Sequence, residues 1–403
     1  MVFVYGDIIE AVILAAGKGV RLSPLTDEIP KPMLPLGDTT IIGNILKIFK
    51  SSGISKVSII IGHKSEIIED YIENNNFGLE VKFIQQKERL GTGHALMIAS
   101  DYIKSDFLCV YGDLLFKQDF IDYLISKFDA SNSMSLLALT ESTTPEFFGS
   151  VLVEGDRIVG IFEKSDNPPS NLINTGIYCF RKEAFSYINK TQLSPRGEYE
   201  LTDSLKKMIE NGDKVSWVPL SGKWIDVGRP WDLLDANEFF LDSITNYLSK
   251  DSKISSDSKI EKPSYIDAGT IIETGIIESP CLISRNVHIK TKSRVHASVL
   301  RKNVIIGKNC IIENSVIMDG VKIDDNSTIS YSIIGENSEI GKNVVFQSIS
   351  DKNILFEIKG KLVDSNRKRL GSIIGKNVKI NDNTIIPPGQ KIESNKNNSK
   401  NYD

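Results

Sequence analysis

The chain has few of the residues that build disulfide frameworks or cysteine–histidine metal sites. Its 403 residues include four cysteines and four histidines, and no two cysteines form a C-x-x-C pair. A disulfide scaffold and a zinc site of that kind are therefore excluded. Cys109 and Cys179 lie inside apolar runs and are expected in a core. This usage favours a reducing, cytoplasmic compartment.

An excess of positive charge is also missing, and so are long apolar runs. The net charge is -4, whereas a nucleic-acid partner calls for a basic face. No apolar run approaches the length of a membrane span, so no membrane partner is expected. The first residues lack a basic start, and Asp7 and Glu10 interrupt their apolar run, which argues against a signal peptide. A small anionic substrate remains compatible with this composition, because it needs only a few local cations.

What the chain does have is aliphatic residues repeating every six positions. Three series run from Ile271 to Val295, from Val299 to Ile329 and from Ile374 to Ile392. This period is typical of a hexapeptide β-helix, in which each face of the coil contributes one inward side chain per repeat. Between Phe346 and Ile374 the period is broken, which predicts an insertion. Its basic run at 366–370 is interpreted as a solvated hairpin in preference to a functional cluster.

The N-terminal part alternates apolar strands with helices, which predicts an α/β fold with a mostly parallel, doubly wound, Rossmann-like sheet. The ranges expected for these elements are strands at 8–15, 56–63 and 106–113 and helices at 40–50, 64–74, 93–103, 201–212 and 230–248. Thr202 is the expected N-cap of the helix at 201–212, and Gly212 its end. The predicted domains are 1–249 and 254–393, followed by a disordered tail at 394–403.

A glycine-rich turn, LAAGKGVRLSPLT at 14–26, directly follows the first strand. Its small residues and exposed amides are suited to holding phosphates. It is neither a Rossmann fingerprint, since Leu22 fills the third glycine position, nor a P-loop. Arg21 and Lys31 could neutralise a triphosphate and the charge that develops on phosphorus. A strand-to-helix loop with surface cations is the competing interpretation.

Two aspartates are candidate ligands of a divalent cation. Asp113 ends the apolar strand FLCVYGD, at the edge of a parallel sheet where ligands bind. A carboxylate there can hold Mg²⁺ against phosphates, or it can simply cap the next element. Asp226 lies between apolar residues in WIDVG, a setting in which an acidic group needs a cation partner.

These motifs together resemble a known family. Residues 17–32 meet every fixed position of G-x-G-x-R-L-x-P-x-T-x-x-x-P-K-P, the signature of sugar-1-phosphate nucleotidylyltransferases. The resemblance extends over most of 8–235. The form L-G-T-G-H-A at 90–95 looks most like N-acetylglucosamine-1-phosphate uridylyltransferases and less like bacterial thymidylyltransferases. Ser165 stands where the family usually has proline, which weakens the match of that loop.

The resemblance implies in-line attack by a sugar-1-phosphate on the α-phosphorus of UTP or dTTP, with release of pyrophosphate. Glucose-1-phosphate and N-acetylglucosamine-1-phosphate both remain open as the sugar substrate. The implied catalytic residues are Arg21, Lys31 and Asp113, and the implied Mg²⁺ ligands are Asp113 and Asp226. The implied nucleotide-binding residues are Leu14, Ala15, Ala16, Gly17, Gly19, Gln86, Gly91, Thr92 and Tyr111. The implied sugar-phosphate residues are Gly149, Glu163, Lys164, Asn174 and Thr175.

For the C-terminal repeats the resemblance implies a left-handed parallel β-helix that joins a homo-oligomer, with a trimer favoured. Bifunctional relatives use this domain to transfer an acetyl group from acetyl-CoA to an amino sugar phosphate. Asp325 occupies the position expected for their catalytic histidine, and His288 and His296 are the histidines of the repeats. We therefore expect mainly that the β-helix is structural and that the N-terminal domain is active without it. A bifunctional enzyme and an inactive regulatory subunit are the alternatives.

Overall fold

A computed structural model describes residues 10–393, so the start of the first predicted strand and the tail at 394–403 lie outside the described residues. The described chain forms two compact units. The first contains residues 10–18, 30–33 and 41–226, and the second contains 19–29, 34–40 and 227–393. In the described range no helix combines the length and apolar character that a membrane crossing requires.

The first unit is an α/β domain. Its strands are β1 Glu10–Leu14, β2 Lys56–Ile61, β3 Glu80–Gln85, β4 Phe107–Tyr111, β5 Leu114–Leu115, β6 Ser135–Glu141, β7 Gly149–Glu154, β8 Arg157–Glu163, β9 Leu172–Phe180, β10 Val215–Pro219 and β11 Ile225–Asp226. Its α-helices are α1 Ile41–Ser51, α2 Ser65–Glu73, α3 Thr92–Ala99, α4 Gln118–Asp129, α5 Phe185–Ile188 and α6 Leu201–Glu210. Short 3-10 helices lie at Lys31–Met33, Pro145–Phe147 and Lys182–Ala184.

Nine of these strands form one sheet in the order β3-β2-β1-β4-β9-β6-β10-β8-β7. The strands β3, β2, β1 and β4 are parallel, and β9 joins β4 in the antiparallel direction. Helices cover both faces of such a sheet, so β1 reads as a continuous apolar run in which Ala11, Val12 and Ile13 are fully buried. The parallel part confirms the predicted α/β class, and its carboxyl edge is where ligands are expected.

A separate two-stranded ladder lies beside this edge. Strand β11 runs antiparallel to β5, and the register pairs Asp226 with Leu114 and Ile225 with Leu115. Because Asp113 directly precedes β5, the ladder brings Asp226 next to Asp113. The pairing of residues 225–226 with residues 114–115 thus brings together two aspartates that are far apart in the chain.

Two predicted helix boundaries were wrong in the first unit. Helix α3 ends at Ala99, not at residue 103. Thr202 is not the N-cap of α6, because Glu200 has the extended conformation of a cap and Leu201 is already helical. Glu200 is held by the Ser194 hydroxyl, which donates a 2.8 Å hydrogen bond to its Oε1. Gly212 follows the C-cap with a φ of 85°, which confirms its role in ending the helix.

The second unit contains two short segments from the N-terminal part of the chain, followed by one helix. The first segment contains a 3-10 helix at Val20–Leu22, and the second is a hairpin formed by Pro35–Leu36 and Thr39–Thr40. Helix α7, Asp232–Leu241, is shorter than the predicted 230–248, because the chain has already entered the first strand of the repeats at Tyr247–Leu248.

The repeats form a parallel β-helix with three faces, as predicted. Face A consists of Tyr247–Leu248, Ser264–Ile266, Cys281–Ile283, Val299–Leu300, Val316–Ile317, Ile333–Ile334, Ile373–Ile374 and Lys391–Ile392. Face B consists of Lys253–Ile254, Ile271–Ile272, His288–Ile289, Ile305–Ile306, Lys322–Ile323, Glu339–Ile340 and Lys379–Ile380. Face C consists of Lys259–Ile260, Gly275–Glu278, Ser293–His296, Ile311–Glu313, Thr328–Ser330, Val345–Phe346 and Ile385–Ile386.

The predicted phase of the repeat was wrong in part. The core contains Ile272 and Ile312, whereas the neighbouring Ile271 and Ile311 are 37% and 38% exposed. Some coils are 18 residues long, but in others equivalent residues are 17 apart, as in the hydrogen bonds from Asn309 to Asn326 and from Asn326 to Asn343, so one step of those coils is five residues. A strict period of six therefore drifts off the inward positions. The last series, Ile374 to Ile392, is inward throughout.

The insertion predicted between Phe346 and Ile374 is present as a hairpin of Leu355–Ile358 and Lys361–Asp364. Its basic run is not merely solvated, contrary to the prediction. Arg367 forms two hydrogen bonds with the Asp235 carboxylate of α7, and the Arg369 guanidinium lies 5.2 Å from the centre of the Tyr331 ring. These cations attach the insertion to the rest of the second unit.

Candidate functional site

A cavity of about 430 Å³ opens at the carboxyl edge of β1 and β4 in the first unit. That volume lies within the range of small-molecule sites. The residues predicted from the sequence that line it are Leu14, Ala15, Ala16, Gly17, Lys31, Gln86, Gly91, Thr92, Tyr111 and Asp113. The turn after β1, the glycine turn before α3 and the end of β4 therefore meet at one site.

Small residues are required where the segments that form this edge come together. The Gly112 amide donates to the Leu14 carbonyl at 2.9 Å. A Cβ on Gly62 would lie 3.0 Å from the Cβ of Ala16. A Cβ on Gly91 would lie 2.5 Å from the Tyr199 carbonyl oxygen, and the φ of Gly91 is 104°. Glycine at positions 62, 91 and 112 thus allows close approach of the neighbouring segments at this edge.

The side chain of Gln86 is buried beside the glycine turn and has a fixed orientation. Its Nε2 lies 3.1 Å from the Gly91 carbonyl oxygen and 3.0 Å from His94 Nδ1. An amide nitrogen is only a donor, so His94 Nδ1 accepts in this arrangement. His94 therefore holds the amide of Gln86 in place. The Gln86 carbonyl oxygen remains as a hydrogen-bond acceptor.

Lys31 lies between two carboxylates. Its Nζ donates to Asp113 Oδ2 and lies 3.4 Å from Asp226 Oδ1. Burial raises the pKa of Asp113, the ammonium group of Lys31 lowers it, and the nearby charge of Asp226 raises it. Two like charges are thus held close together by one cation. This arrangement stores electrostatic repulsion that a cation of higher charge would relieve.

The carboxylates are suited to a divalent cation. Asp113 Oδ1 is buried and has no hydrogen-bond partner. Such an oxygen is available to coordinate a metal ion. Among residues 10–393 no group of three or more histidine, cysteine, aspartate or glutamate side chains is placed to hold a metal ion. Mg²⁺ commonly uses one or two carboxylates and takes its other ligands from water and substrate phosphates. Asp113 and Asp226 match that donor set.

A second cluster contains most of the residues predicted to hold the sugar phosphate. A Cβ on Gly149 would lie 3.0 Å from Glu163 Oε2 and 3.6 Å from the Cβ of Asn174. Lys164 Nζ lies 3.9 Å from Glu163 Oε1, and its backbone φ is 46°. Burial raises the pKa of Glu163, and the charge of Lys164 opposes that effect. Glycine at 149 leaves the Glu163 carboxylate room for a ligand.

A chain of hydrogen bonds connects this cluster to the cavity. Asn174 Nδ2 donates to the Tyr178 hydroxyl at 2.5 Å, and that hydroxyl lies 3.1 Å from the hydroxyl of Tyr111. Burial raises the pKa of both tyrosines, so both remain neutral donors. Thr175 is placed differently: its hydroxyl is buried and donates to the Ala138 carbonyl at 2.8 Å. Its side chain stabilises the sheet.

Arg21 and Gly19 group with the second unit, where Gly19 has a φ of 64° and Arg21 is exposed on the 3-10 helix. The cations that line the cavity are Lys18, Lys31 and Arg89. Arg89 was not predicted as a site residue. The sequence places this basic residue immediately before L-G-T-G-H-A, but the family signature specifies no residue at that position. Glu198 also lines the cavity.

Comparison with known proteins places both parts of the chain. Residues 10–243 match the family model described as nucleotidyl transferase, and residues 277–402 match the one described as GMPPB C-terminal domain. The chain is 38% identical over 390 residues to a protein of Methanocaldococcus jannaschii named bifunctional protein GlmU. The alignment covers 96% of this chain and 92% of that protein.

Two further similarities agree with this. A protein of Sulfurisphaera tokodaii named bifunctional sugar-1-phosphate nucleotidylyltransferase/acetyltransferase is 31% identical over 95% of this chain and 94% of its own length. A solved structure of a Bacillus anthracis protein, described as a candidate glucose-1-phosphate thymidylyltransferase, superposes with a TM-score of 0.54. That match has 29% identity and covers 60% of this chain and 97% of the other. The chain therefore belongs to the nucleotidyl transferase family and is a sugar-1-phosphate nucleotidyltransferase that carries a C-terminal β-helix.

Proposed function

We propose that this enzyme joins a sugar-1-phosphate, glucose-1-phosphate or N-acetylglucosamine-1-phosphate, to the nucleotidyl group of UTP or dTTP, using Mg²⁺. The observation that carries the proposal is the position of Lys31 between Asp113 and Asp226 at the edge of a cavity lined by the predicted nucleotide residues. Such a site handles phosphates by charge neutralisation and alignment.

The orientation of Gln86 favours a uracil or thymine base. Its amide nitrogen is used by Gly91 and His94, so its oxygen is left to accept a hydrogen bond. The N3 atom of uracil and thymine carries a hydrogen, whereas N3 of cytosine is an acceptor. A buried acceptor facing another acceptor leaves both without a partner, which costs about 1–3 kcal/mol. CTP is therefore a poor substrate in this proposal.

Each group of site residues has its own role in the proposed transfer. The backbone of the turn from Leu14 to Gly17, with Lys18 and Arg89, would bind the triphosphate, and Lys31 would stabilise the charge that develops as pyrophosphate leaves. Asp113 and Asp226 would hold Mg²⁺, which would supply neutralisation of phosphate charge. Residues Gly149, Glu163, Lys164 and Asn174 would orient the sugar phosphate. No side chain is needed as a general base, because the phosphate nucleophile is already ionised.

A pyrophosphate-release panel tests this function. UTP, dTTP, CTP and ATP are each combined with glucose-1-phosphate and with N-acetylglucosamine-1-phosphate in the presence of Mg²⁺. Release that depends on the sugar phosphate is expected with UTP or dTTP, and with CTP at about a tenth of that rate or less. No sugar-phosphate-dependent release with any nucleotide would contradict the proposal. CTP as the best substrate would contradict the assignment of Gln86.

The β-helix is the place of a second proposed activity. The expectation of a purely structural β-helix is less well supported than its bifunctional alternative, because relatives aligned over more than nine-tenths of this chain are named as bifunctional. We propose that the chain also transfers an acetyl group from acetyl-CoA to an amino sugar phosphate. That step needs a base that takes a proton from the ammonium group before the amine attacks the thioester.

Asp325 is not suited to that role in this chain. Its Oδ1 accepts a 2.8 Å hydrogen bond from the Lys308 amide one coil earlier, and Asp319 accepts the equivalent bond from Lys302. The carboxylate is thus part of a repeated contact between coils. His288 Nε2 lies 3.0 Å from Glu273 Oε1, which fixes the orientation of the ring, whereas the nearest carboxylate oxygen to His296 Nδ1 is Glu278 Oε2 at 3.6 Å. We assign the base to His288 in preference to His296.

A thiol-release assay with acetyl-CoA and glucosamine-1-phosphate tests the second activity. Coenzyme A release that requires the amino sugar is expected in the wild type, with a loss of about a hundredfold in His288→Ala. His296→Ala serves as the matched control and should keep the activity. Absence of amino-sugar-dependent release from a protein that is active in nucleotidyl transfer would return the β-helix to a structural role.

We also propose that the chain forms a homo-oligomer, a trimer, through the β-helix. The outward column of face C contains four exposed aliphatic side chains, with Arg294 and Thr328 at the positions between the first three of them. The four are Ile276, Ile311, Val345 and Ile385, between 36% and 51% exposed. Exposed aliphatic side chains that recur along a rigid face suit burial against further copies. A monomer mass by light scattering would contradict this assembly.

A further inference from the structure

The hairpin that follows Lys31 is held by the part of the chain that carries the β-helix. Lys31 belongs to the 3-10 helix Lys31–Met33 in the first unit, whereas residues 34–40 pack within the second unit. The chain therefore crosses from one unit to the other immediately after Met33. Two residues separate Lys31 from the point at which the second unit holds the backbone.

One clamp on this hairpin is the guanidinium of Arg301, which lies next to face A. The residue is 9% exposed. Its Nη1 donates to the carbonyl oxygens of Gly37 at 2.8 Å and Thr39 at 2.9 Å. Its Nε and Nη2 lie 3.3 Å and 3.4 Å from the two oxygens of Asp319. A buried guanidinium needs such a carboxylate, so Asp319 offsets the charge while Arg301 binds the hairpin.

The other clamp is Asn237 of α7, which is 2% exposed. Its Oδ1 accepts from the Gly37 amide at 2.9 Å, and its Nδ2 donates to the Pro35 carbonyl at 3.1 Å. Gly37 has a φ of 54°, and a Cβ there would lie 2.1 Å from the ring of Phe240. The hairpin is thus fixed by side-chain hydrogen bonds to successive backbone groups and by a ring that tolerates only glycine.

We infer that Arg301 is a positioning residue for nucleotidyl transfer, acting on Lys31 through the hairpin at 34–40. The inference rests on the proposed function and adds a role for the second unit in the reaction of the first. Lys31 must reach two carboxylates at once, and its backbone is anchored by the Arg301 clamp a few residues away. A displacement of a catalytic group by about 1 Å can reduce turnover about a hundredfold. The clamp also opposes the expectation that residues before 235 suffice for activity.

The test compares Arg301→Ala with Arg285→Ala in the full-length protein. Arg285 is an arginine of the same β-helix whose Nε lies 3.1 Å from Asp267, with a side chain 65% exposed. In Arg301→Ala we expect kcat for nucleotidyl transfer to fall at least about tenfold, with KM for the sugar phosphate changed less than about threefold. Arg285→Ala should retain wild-type kcat. Free guanidinium at millimolar concentration should restore part of the activity of Arg301→Ala.

A second readout does not depend on activity. The rate at which an amine-specific acylating reagent modifies Lys31, followed by peptide mass spectrometry, should rise in Arg301→Ala, and the rate at Lys214 should not. Circular dichroism and thermal melting report the folded fraction. If Arg301→Ala is poorly folded, Arg301→Lys gives the same comparison, since an ammonium group cannot bind both carbonyls and Asp319 together.

The outcomes separate the inference from the function on which it rests. A wild-type protein with no nucleotidyl transfer would contradict the proposed function. An active wild type and a folded Arg301→Ala with kcat within twofold and unchanged Lys31 labelling would overturn the inference. A fall in activity that only matches the loss of folded protein, or that Arg285→Ala reproduces, would overturn it as well.

Discussion

Asp113→Asn is expected to reduce kcat for nucleotidyl transfer by about a thousandfold, the upper range for loss of one preorganised electrostatic contact in a phosphoryl or acyl transfer site. The substitution keeps the size of the side chain and removes the charge that would hold Mg²⁺. It also removes the ion pair with Lys31. Asp226→Asn should act in the same direction, because the two carboxylates face the same cation.

The two substitutions should not be additive. If Asp113 and Asp226 hold one metal ion, the double variant should be little slower than Asp113→Asn alone, because residues that act as a unit lose their function together. Asp156→Asn is the matched control, since Asp156 is an exposed carboxylate of the same unit paired with Lys214 at 2.5 Å. Turnover near the wild-type value in Asp113→Asn at ordinary Mg²⁺ concentration would remove Asp113 from the metal site.

Lys31→Met should lower kcat by about a hundredfold, because the ammonium group stabilises the charge that develops on the phosphates. It should also move the acid limb of the pH profile. Burial and Asp226 raise the pKa of Asp113, and Lys31 is the group that lowers it. Without Lys31 that pKa rises further, so the carboxylate becomes protonated at a higher pH as acid is added. The remaining activity should therefore disappear at a higher pH than in the wild type.

The measurement is kcat/KM against pH for the wild type, Lys31→Met and the control Lys214→Met. Lys214 forms an ion pair in the same unit and is placed outside the site, so its loss should change neither the rate nor the acid limb. An acid limb that stays in place in Lys31→Met, or moves to lower pH, would contradict the electrostatic account of Asp113 and Lys31.

Much of the site was predictable because it is built from local motifs. The turn from Leu14 to Gly17 and the glycine turn at Gly91 each consist of consecutive residues with a recognisable pattern, and the fold brings them to one cavity. A buried strand that ends in Asp113 also has a clear local pattern. These residues needed only the rule that the carboxyl ends of parallel strands meet at one edge of the sheet.

Other features depend on contacts that leave no local pattern. Asp226 meets Asp113 through strands of two residues each, which are too short to show a periodicity. The β-helix was clear from its aliphatic repeat, yet five-residue steps from Ile272 to Ile277 and from Ile312 to Ile317 leave Ile271 and Ile311 outside the inward positions. Arg301 belongs to no sequence motif, and its contacts with the hairpin carbonyls are apparent only in the structure.

The central claim is transfer of a nucleotidyl group to a sugar phosphate, and the fate of the α-phosphate tests it most directly. UTP labelled at the α-phosphate and UTP labelled at the γ-phosphate are each incubated with the enzyme, Mg²⁺ and an unlabelled sugar-1-phosphate, and the products are separated. The α-label should appear in the nucleotide sugar and the γ-label in pyrophosphate, in equal amounts. A γ-label recovered on the sugar, or an α-label recovered only as free nucleotide, would contradict the account.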